Sequence, residues 1–295
     1  MVSTKQIRRR GVWHPTDAMT STESAEFAQR IESLGYSILW LPETTGRDPF
    51  SHIAFLSSQT LKLGFATGIA NIYHRHPGVT WQAATTLAEQ SNNRFILGLG
   101  VSHAPLVEGL RQMKYEKPIE TMRSYLTSMK SSPYSSIPPE REPICLVAAL
   151  GPRMLKLSAD LSDGAHPYWT TPEHTQIARE IIGEEKLLCV EQKVVLTEDR
   201  ETAHVAAKKA LRIYTPLPNY RNNWKRLGFT DDDIDTPTTK FIDAVVAWGS
   251  IREIEKRIGE HEKAGANHVC IQPISHDGSY KIPEWETLEA LAPKK

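Results

Sequence analysis

Short runs rich in β-branched and aromatic residues alternate with stretches of helical period along nearly the whole chain. Alternation of this kind implies a parallel sheet with helical crossovers. Strand candidates fall at 10–13, 37–41, 61–68, 94–99, 143–148, 164–168, 187–196 and 268–273. The first helix carries Ala25, Ala28, Ile31 and Leu34 on one face, with Thr20, Ser21 and Thr22 as N-cap candidates and Gly35 at its end. Further helices are expected at 49–59, at 77–91 with Pro77 in the first turn, and at 118–129, 152–161, 172–182, 251–264 and 283–291. One more, opened by Thr197 with Asp199 and Glu201 in its first turn, runs to about Tyr214. Three stretches keep no period: 101–116, the surface loop 131–142, and a long insertion at 216–248. Eight strand candidates with helices between them, and no composition break or linker, predict an α/β chain folded as one (β/α)8 TIM barrel domain over residues 1–295, with the insertion after strand seven. An open doubly wound sheet is the alternative.

The length of 295 residues suits either such a barrel with insertions or two ordinary domains, so pattern rather than length decides. Thirty-five basic residues balance thirty-five acidic ones. That balance leaves no broad cationic excess for a phosphate backbone, and no nucleic-acid partner is expected. Cys145, Cys189 and Cys270 lie far apart and form no C-x-x-C, which fits a reducing cytoplasm. The basic start, Met1 to Arg10, is followed by no apolar stretch, and no run approaches the roughly 18 apolar residues of a membrane span. Neither secretion nor membrane insertion is expected.

In a barrel of this kind the chemistry sits at the carboxyl ends of the strands. The residues there are His14, Glu43, the segment 68–76, His103, the segment 148–152, His166 and His276. Ala148-Ala149-Leu150-Gly151-Pro152 runs from strand into helix with small residues and a proline at the helix start. The geometry suits a phosphate at a helix N-terminus, and equally a plain tight turn. Gly98-Leu99-Gly100 begins like a dinucleotide fingerprint, but His103 takes the place of the later glycine. His74, His76, His103 and His166 would make a metal-dependent barrel hydrolase if they gathered, yet no carboxylate stands at ligand spacing, and no metal is expected. His261-Glu262 is not completed to H-E-x-x-H, because Gly265 holds the last position. Neither a Walker sequence nor G-x-S-x-G is present.

The segments Leu39-Trp40-Leu41-Pro42-Glu43, Leu63-Gly64-Phe65-Ala66-Thr67-Gly68-Ile69-Ala70-Asn71, Arg94-Phe95-Ile96-Leu97-Gly98-Leu99-Gly100-Val101, Ala148-Ala149-Leu150-Gly151-Pro152, Asp163-Gly164-Ala165-His166 and Gly265-Ala266-Asn267-His268-Val269 together resemble the luciferase-like monooxygenase superfamily. Within it they are most similar to the oxidoreductases that use the deazaflavin coenzyme F420. The likeness runs from about Gly11 to Pro273, with the motifs in the family's order. It implies a (β/α)8 barrel, a flavin-like ring in the barrel mouth, an insertion after strand seven and a homodimer. It also implies a bulge after strand three with a non-prolyl cis peptide, here matched by Gly68–Ile69. The cofactor would then lie against Gly68, Ile69, Ala70, Gly100 and Val101, with its phosphate at Ala149, Leu150, Gly151 and Pro152.

The sugar-phosphate branch of that family carries an Asp-His pair after strand two and a Glu after strand four. This chain has Pro42-Glu43 and Val101-Ser102-His103 instead, which puts a sugar-phosphate substrate in doubt. Glu43 and His103 become the candidate acid–base pair for hydride transfer between a small organic substrate and the deazaflavin. The plainer alternative leaves Glu43 hydrogen-bonding the ring and His103 lining the pocket. His74, His166, Tyr220 and Trp224 are candidate substrate contacts, the last two from the insertion, which is expected to act as a mobile lid. An FMN-dependent monooxygenase and a flavin-binding protein without turnover are the rival readings.

Overall fold

Period-two alternation sorts each strand's side chains between the barrel axis and the surrounding helices. On β2, Ile38 and Trp40 join Trp13, Ala66, Ile96, Leu146, Cys189 and Cys270 in one inner cluster, while Leu39 and Leu41 pack with the helices. The computed structural model describes Ile7 and residues 10–293. Its strands are β1 (Gly11–Trp13), β2 (Ile38–Leu41), β3 (Gly64–Thr67), β4 (Ala70–Asn71), β5 (Phe95–Gly100), β6 (Ile144–Val147), β7 (Gly164–Ala165), β8 (Leu187–Leu196), β9 (Val246–Gly249) and β10 (His268–Pro273). Eight of them, β1, β2, β3, β5, β6, β7, β8 and β10, pair in parallel in that order, and β10 closes on β1. The fold is a closed TIM barrel. The short β4 adds to β5 beyond the end of β3, with Ala70 opposite Leu99.

The helices are α1 (Ser21–Ser33), α2 (Pro49–Ser58), α3 (Pro77–Gln90), α4 (Pro118–Lys130), α5 (Pro152–Leu161), α6 (Pro172–Ile182), α7 (Arg200–Leu211), α8 (Pro218–Arg226), α9 (Asp231–Asp235), α10 (Thr239–Val245), α11 (Ile251–Lys263) and α12 (Trp285–Ala290). Thr20 caps α1 in a reciprocal capping box with Glu23. Helix α7 starts later than expected, because the Asp199 carboxylate accepts from the Thr202 N–H at 2.9 Å and takes the cap from Thr197. Two unpatterned stretches also have structure. Residues Pro105–Leu110 form a π-helix, and the insertion holds α8, α9, α10 and β9. Strand β9 pairs with β8 from Val246 opposite Lys193 to Gly249 opposite Leu196, so the end of the insertion is part of the sheet. Its helices bury a second cluster that includes Trp224, Ile234, Phe241 and Ile242.

Toward the mouth the barrel interior turns polar. The Lys193 ammonium, fully buried, lies 2.7 Å from Glu191 Oε1 and 2.6 Å from Gln272 Oε1, with the Tyr168 ring 3.6 Å away. Tyr168 donates its hydroxyl to Gln272 at 2.9 Å. Such a pair is tolerable only because each charge keeps a bonded partner. All three cysteines are buried and free. Among the described residues no helix is long and apolar enough to cross a membrane.

Candidate active site

The chain leaves β3 through Gly68, and the Gly68–Ile69 peptide is cis. A Cβ at position 68 would stand 2.6 Å from the Trp13 indole nitrogen, and one at position 100 would stand 2.4 Å from Ile69 Cδ1, so at both positions a side chain would have to displace a neighbour. The bulge is pinned from β2: the Glu43 N–H donates to Ile69 O at 3.2 Å, and the Asn71 N–H donates to Glu43 Oε2 at 2.7 Å. Ile69 thereby becomes a wall of a mostly apolar hollow, a cavity of about 380 Å³.

Across the cavity, β6 runs into α5. Ala148 donates its N–H to Leu99 O at 2.8 Å, and Gly151 caps α5 in an extended conformation with no side-chain cap. The His174 imidazole donates through Nε2 to Leu150 O at 2.8 Å and fixes the turn. The guanidinium of Arg226, at the end of α8, comes within 3.4 Å of where a Cβ at position 151 would stand. Arg153 lies on the same wall. A glycine turn at the start of a helix, with Arg153 and Arg226 on the same wall, could hold an anion.

His103 follows β5. Ser102, at φ +54°, turns the chain, Tyr115 donates its hydroxyl to Ser102 O at 3.3 Å, and His103 O accepts from the N–H groups of Leu106 and Val107 at 3.0 Å. The imidazole packs on the Tyr220 ring of α8 with centroids 5.6 Å apart. Burial lowers its pKa, and the Asn219 side chain opposes that shift. His166 stacks on Trp40 at 4.2 Å and donates Nδ1–H to Cys189 O at 2.8 Å. Its Nε2 is buried without a partner, and burial drags its pKa to about 4, so the ring is neutral.

The luciferase-like monooxygenase family matches residues 5–268. This chain belongs to that family. A protein of Mycobacterium tuberculosis whose name assigns it coenzyme F420-dependent oxidoreduction is 24% identical over 324 aligned residues, 88% of this chain and 92% of the relative. Among solved structures, an F420-dependent secondary alcohol dehydrogenase holding an F420–acetone adduct superposes with a TM-score of 0.73 at 14% identity, over 96% of this chain and 98% of that one. The oxygenating constituent of 3,6-diketocamphane monooxygenase from Pseudomonas putida, in complex with FMN, also gives 0.73 at 14% identity, over 96% of each chain. Relatives of this luciferase-like chain are therefore oxidoreductases and monooxygenases, with deazaflavin or flavin as cofactor.

The cavity of this luciferase-like protein gathers Ile69, Gly100, Val101, His103, Ala149, Leu150, Gly151, Pro152, His166 and Tyr220 from the sequence candidates. Gly68 and Ala70 flank Ile69 in the bulge behind that wall. Glu43 lies apart from the cavity: its carboxylate, 6% exposed, is 2.6 Å from Arg75 Nη2 and 3.3 Å from His74 Nδ1. Glu43 and His74 thus spend their polar atoms on each other, on Arg75, and on the backbone and side-chain amide of Asn71. Trp224 is fully buried in the insertion's own core and donates its indole N–H to Trp169 O at 3.0 Å, so it faces away from the ligand space. The four histidines do not gather either. His76 caps α3, His74 pairs with Glu43, and among the described residues no group of three or more His, Cys, Asp or Glu stands close enough to share a metal. Sequence reasoning missed Arg226 and Tyr115. Arg226 carried a signal, since Asn219, Asn222 and Arg226 fall three and four residues apart on one helix face. Tyr115 sits in a stretch without period and carried none.

Proposed function

We propose that this luciferase-like protein is an oxidoreductase that moves a hydride between a small uncharged organic molecule and the deazaflavin F420 held in the barrel mouth. The observation that carries the reading is one cavity walled by the Ile69 bulge on one side and, on the other, by the Gly151 turn beneath the Arg226 guanidinium. Two features of the chain itself support a planar ring with a phosphate tail. A Cβ at Gly100 would fill the bulge's seat, and His166 Nε2 is a buried acceptor without a donor. Gly151, Arg153 and Arg226 would bind the phosphate, and Ile69, Gly100 and Val101 would back the ring. When bound, the deazaflavin supplies a two-electron hydride acceptor or donor. The names of relatives favour F420. Among the chain's own residues, His103 exchanges the proton that accompanies the hydride, and α8 covers the mouth while it does so.

An FMN-dependent monooxygenase is the second reading, supported by the fold neighbour that holds FMN. Titrating the purified protein with F420 and with FMN, then following reduction anaerobically and in oxygen, separates the two. Tighter F420 binding with oxygen-independent turnover is the expected result. FMN preference with oxygen consumption would move the protein to the second reading, binding without turnover would make it a flavin carrier, and binding of neither would end both.

A further inference from the structure

The cavity walls differ in how much of their hydrogen bonding is already committed. Arg226 stands at Gly151 with Arg153 two residues beyond it, and among the described residues no Asp, Glu or Lys lines the cavity. A charged substrate away from those guanidinium groups would be desolvated without a counter-ion, so the remaining space suits an uncharged one. Tyr115 donates its hydroxyl to Ser102 O at 3.3 Å, and Tyr168 donates to Gln272 Oε1 at 2.9 Å. His166 is different. Among the described residues, its Nε2 is the one buried side-chain nitrogen or oxygen on these walls that has no partner.

The ring that carries this atom is held by its neighbours. His166 is 2% exposed, follows β7, and donates its backbone N–H to Val147 O at 2.9 Å. Its imidazole lies on the Trp40 indole, with centroids 4.2 Å and planes 13° apart. Trp40 is fixed in turn, since its indole N–H donates to His268 Nε2 at 3.1 Å and His268 Nδ1 donates to Ile7 O at 2.7 Å. The other ring nitrogen of His166 decides the tautomer. Cys189 O, 2.8 Å from Nδ1, is a carbonyl and can only accept, so Nδ1 carries the hydrogen. Burial, with His268 and Lys193 acting in the same direction, keeps the ring from taking a second proton near neutrality. Nε2 is therefore an acceptor and not a donor.

We propose that His166 is a specificity-determining residue of this cavity, selecting a ligand that brings an uncharged O–H or N–H hydrogen to Nε2. The inference rests on the oxidoreductase reading above and names what its ligands must carry. Two ligands of that reading hold such a hydrogen: an alcohol substrate in its hydroxyl, and a deazaflavin or flavin in the imide N–H of its ring. A ligand without one leaves a buried acceptor unpaired, which lowers its affinity relative to a donor of similar size. His166 takes no proton in this role and only orients the donor.

The test is nitrogen NMR on histidine-labelled wild-type protein, with His166→Phe identifying the resonances. Without ligand, His166 should show a protonated Nδ1 and a bare Nε2. F420 or FMN is added alone. Cyclohexanol or its methyl ether is then added to the apoprotein and, without oxygen, to protein holding reduced F420, where the alcohol is not oxidised. The Nε2 resonance should move when the hydrogen arrives: movement with the cofactor alone assigns it to the cofactor ring, and movement only with cyclohexanol assigns it to the substrate. The ether should leave the resonance in place. His166→Phe keeps a ring on Trp40 and should weaken whichever ligand supplies the hydrogen about tenfold, with the affinity for the ether unchanged. A proton on Nε2 in the unliganded protein overturns the proposal. So does a resonance that neither cofactor nor cyclohexanol moves, or one that the ether moves as far as the alcohol. An unmoved resonance in a protein that turns over F420 overturns the proposal and leaves the oxidoreductase reading standing. Movement with cyclohexanol in a protein that binds neither F420 nor FMN supports the donor-selecting role and fails the oxidoreductase reading alone.

Discussion

Two arcs of the barrel rim carry ionisable side chains, and their surroundings are opposite. On the arc after β2 and β3, Glu43, His74, Arg75 and Asp48 pair with one another: Arg75 bridges both carboxylates, and Glu43 holds the Asn71 N–H besides, although Arg75 Nη1 stays buried without a partner. On the arc after β5, the His103 imidazole meets the Tyr220 ring and lines the cavity. The first arc commits both of its carboxylates to ion pairs around the bulge, and the second presents its imidazole to the cavity. Position at a strand end brings a side chain to the mouth, but unspent bonding capacity decides whether it can act there.

The sharpest way to break this contrast is to remove each residue and compare. Without His103, kcat should fall by roughly a hundred- to ten-thousand-fold in His103→Ala, with cofactor affinity largely retained and one limb of the pH profile lost. Glu43→Ala should act elsewhere. It strips a buried counter-charge from Arg75 and an acceptor from Asn71, so denaturant unfolding should show a loss of about 2 kcal/mol, with the pH profile unchanged in shape. Glu43→Gln, which keeps an acceptor for the Asn71 N–H, should recover much of that loss. A Glu43→Gln enzyme that loses a limb of its pH profile would return Glu43 to the acid–base role and dissolve the contrast.

The third difference concerns anions. Nothing negative lines the cavity among the described residues, and Gly151 leaves room for a group beneath Arg226. Gly151→Asp places a carboxylate within reach of that guanidinium at an ordinary backbone conformation, φ −85° and ψ 157°. It should compete with the cofactor's phosphate and raise the cofactor Kd about tenfold or more, while the apoprotein's thermal transition moves little. Unchanged affinity would mean that the turn is only a turn.

Parts of the site made by backbone were legible in the sequence, because they rest on glycine and strand order. The motifs around Gly68, Gly100 and Gly151 sit where the structure builds the cavity. Strand β8 matches its expected span because ten residues read as one continuous run. Strand β7 is shorter than the expected 164–168, and Pro167 has no N–H to continue the ladder. The π-helix Pro105–Leu110 follows no period that a search for 3.6 or 2 detects. The side-chain pairings were illegible for a different reason. Whether Glu43 meets Arg75 or His103 meets Tyr220 depends on residues 32 and 117 positions away brought together by the closed barrel. Trp224 shows the same limit: an aromatic in an unpatterned insertion reads equally as a ligand contact or as a core, and only the packing of α8 on Trp169 and Phe241 decides.

That packing sets the smallest effect expected. A lid that swung open as a whole would have to expose Trp224 and break its bond to Trp169, at a cost of several kcal/mol for so large a buried side chain. The end of the insertion is tied to β8 through β9 as well. Motion is therefore expected at the start of α8, where Asn219 and Asn222 are exposed and line the cavity, and not at the buried Asn223 and Trp224. Hydrogen exchange should show modestly increased protection at 219–222 when cofactor and substrate bind, with 223–245 already slow and unchanged. A large gain across the entire insertion would mean that the anchored half also opens in solution. A gain confined to β3, β5 and β6 would mean that α8 covers the mouth without responding to what lies beneath it.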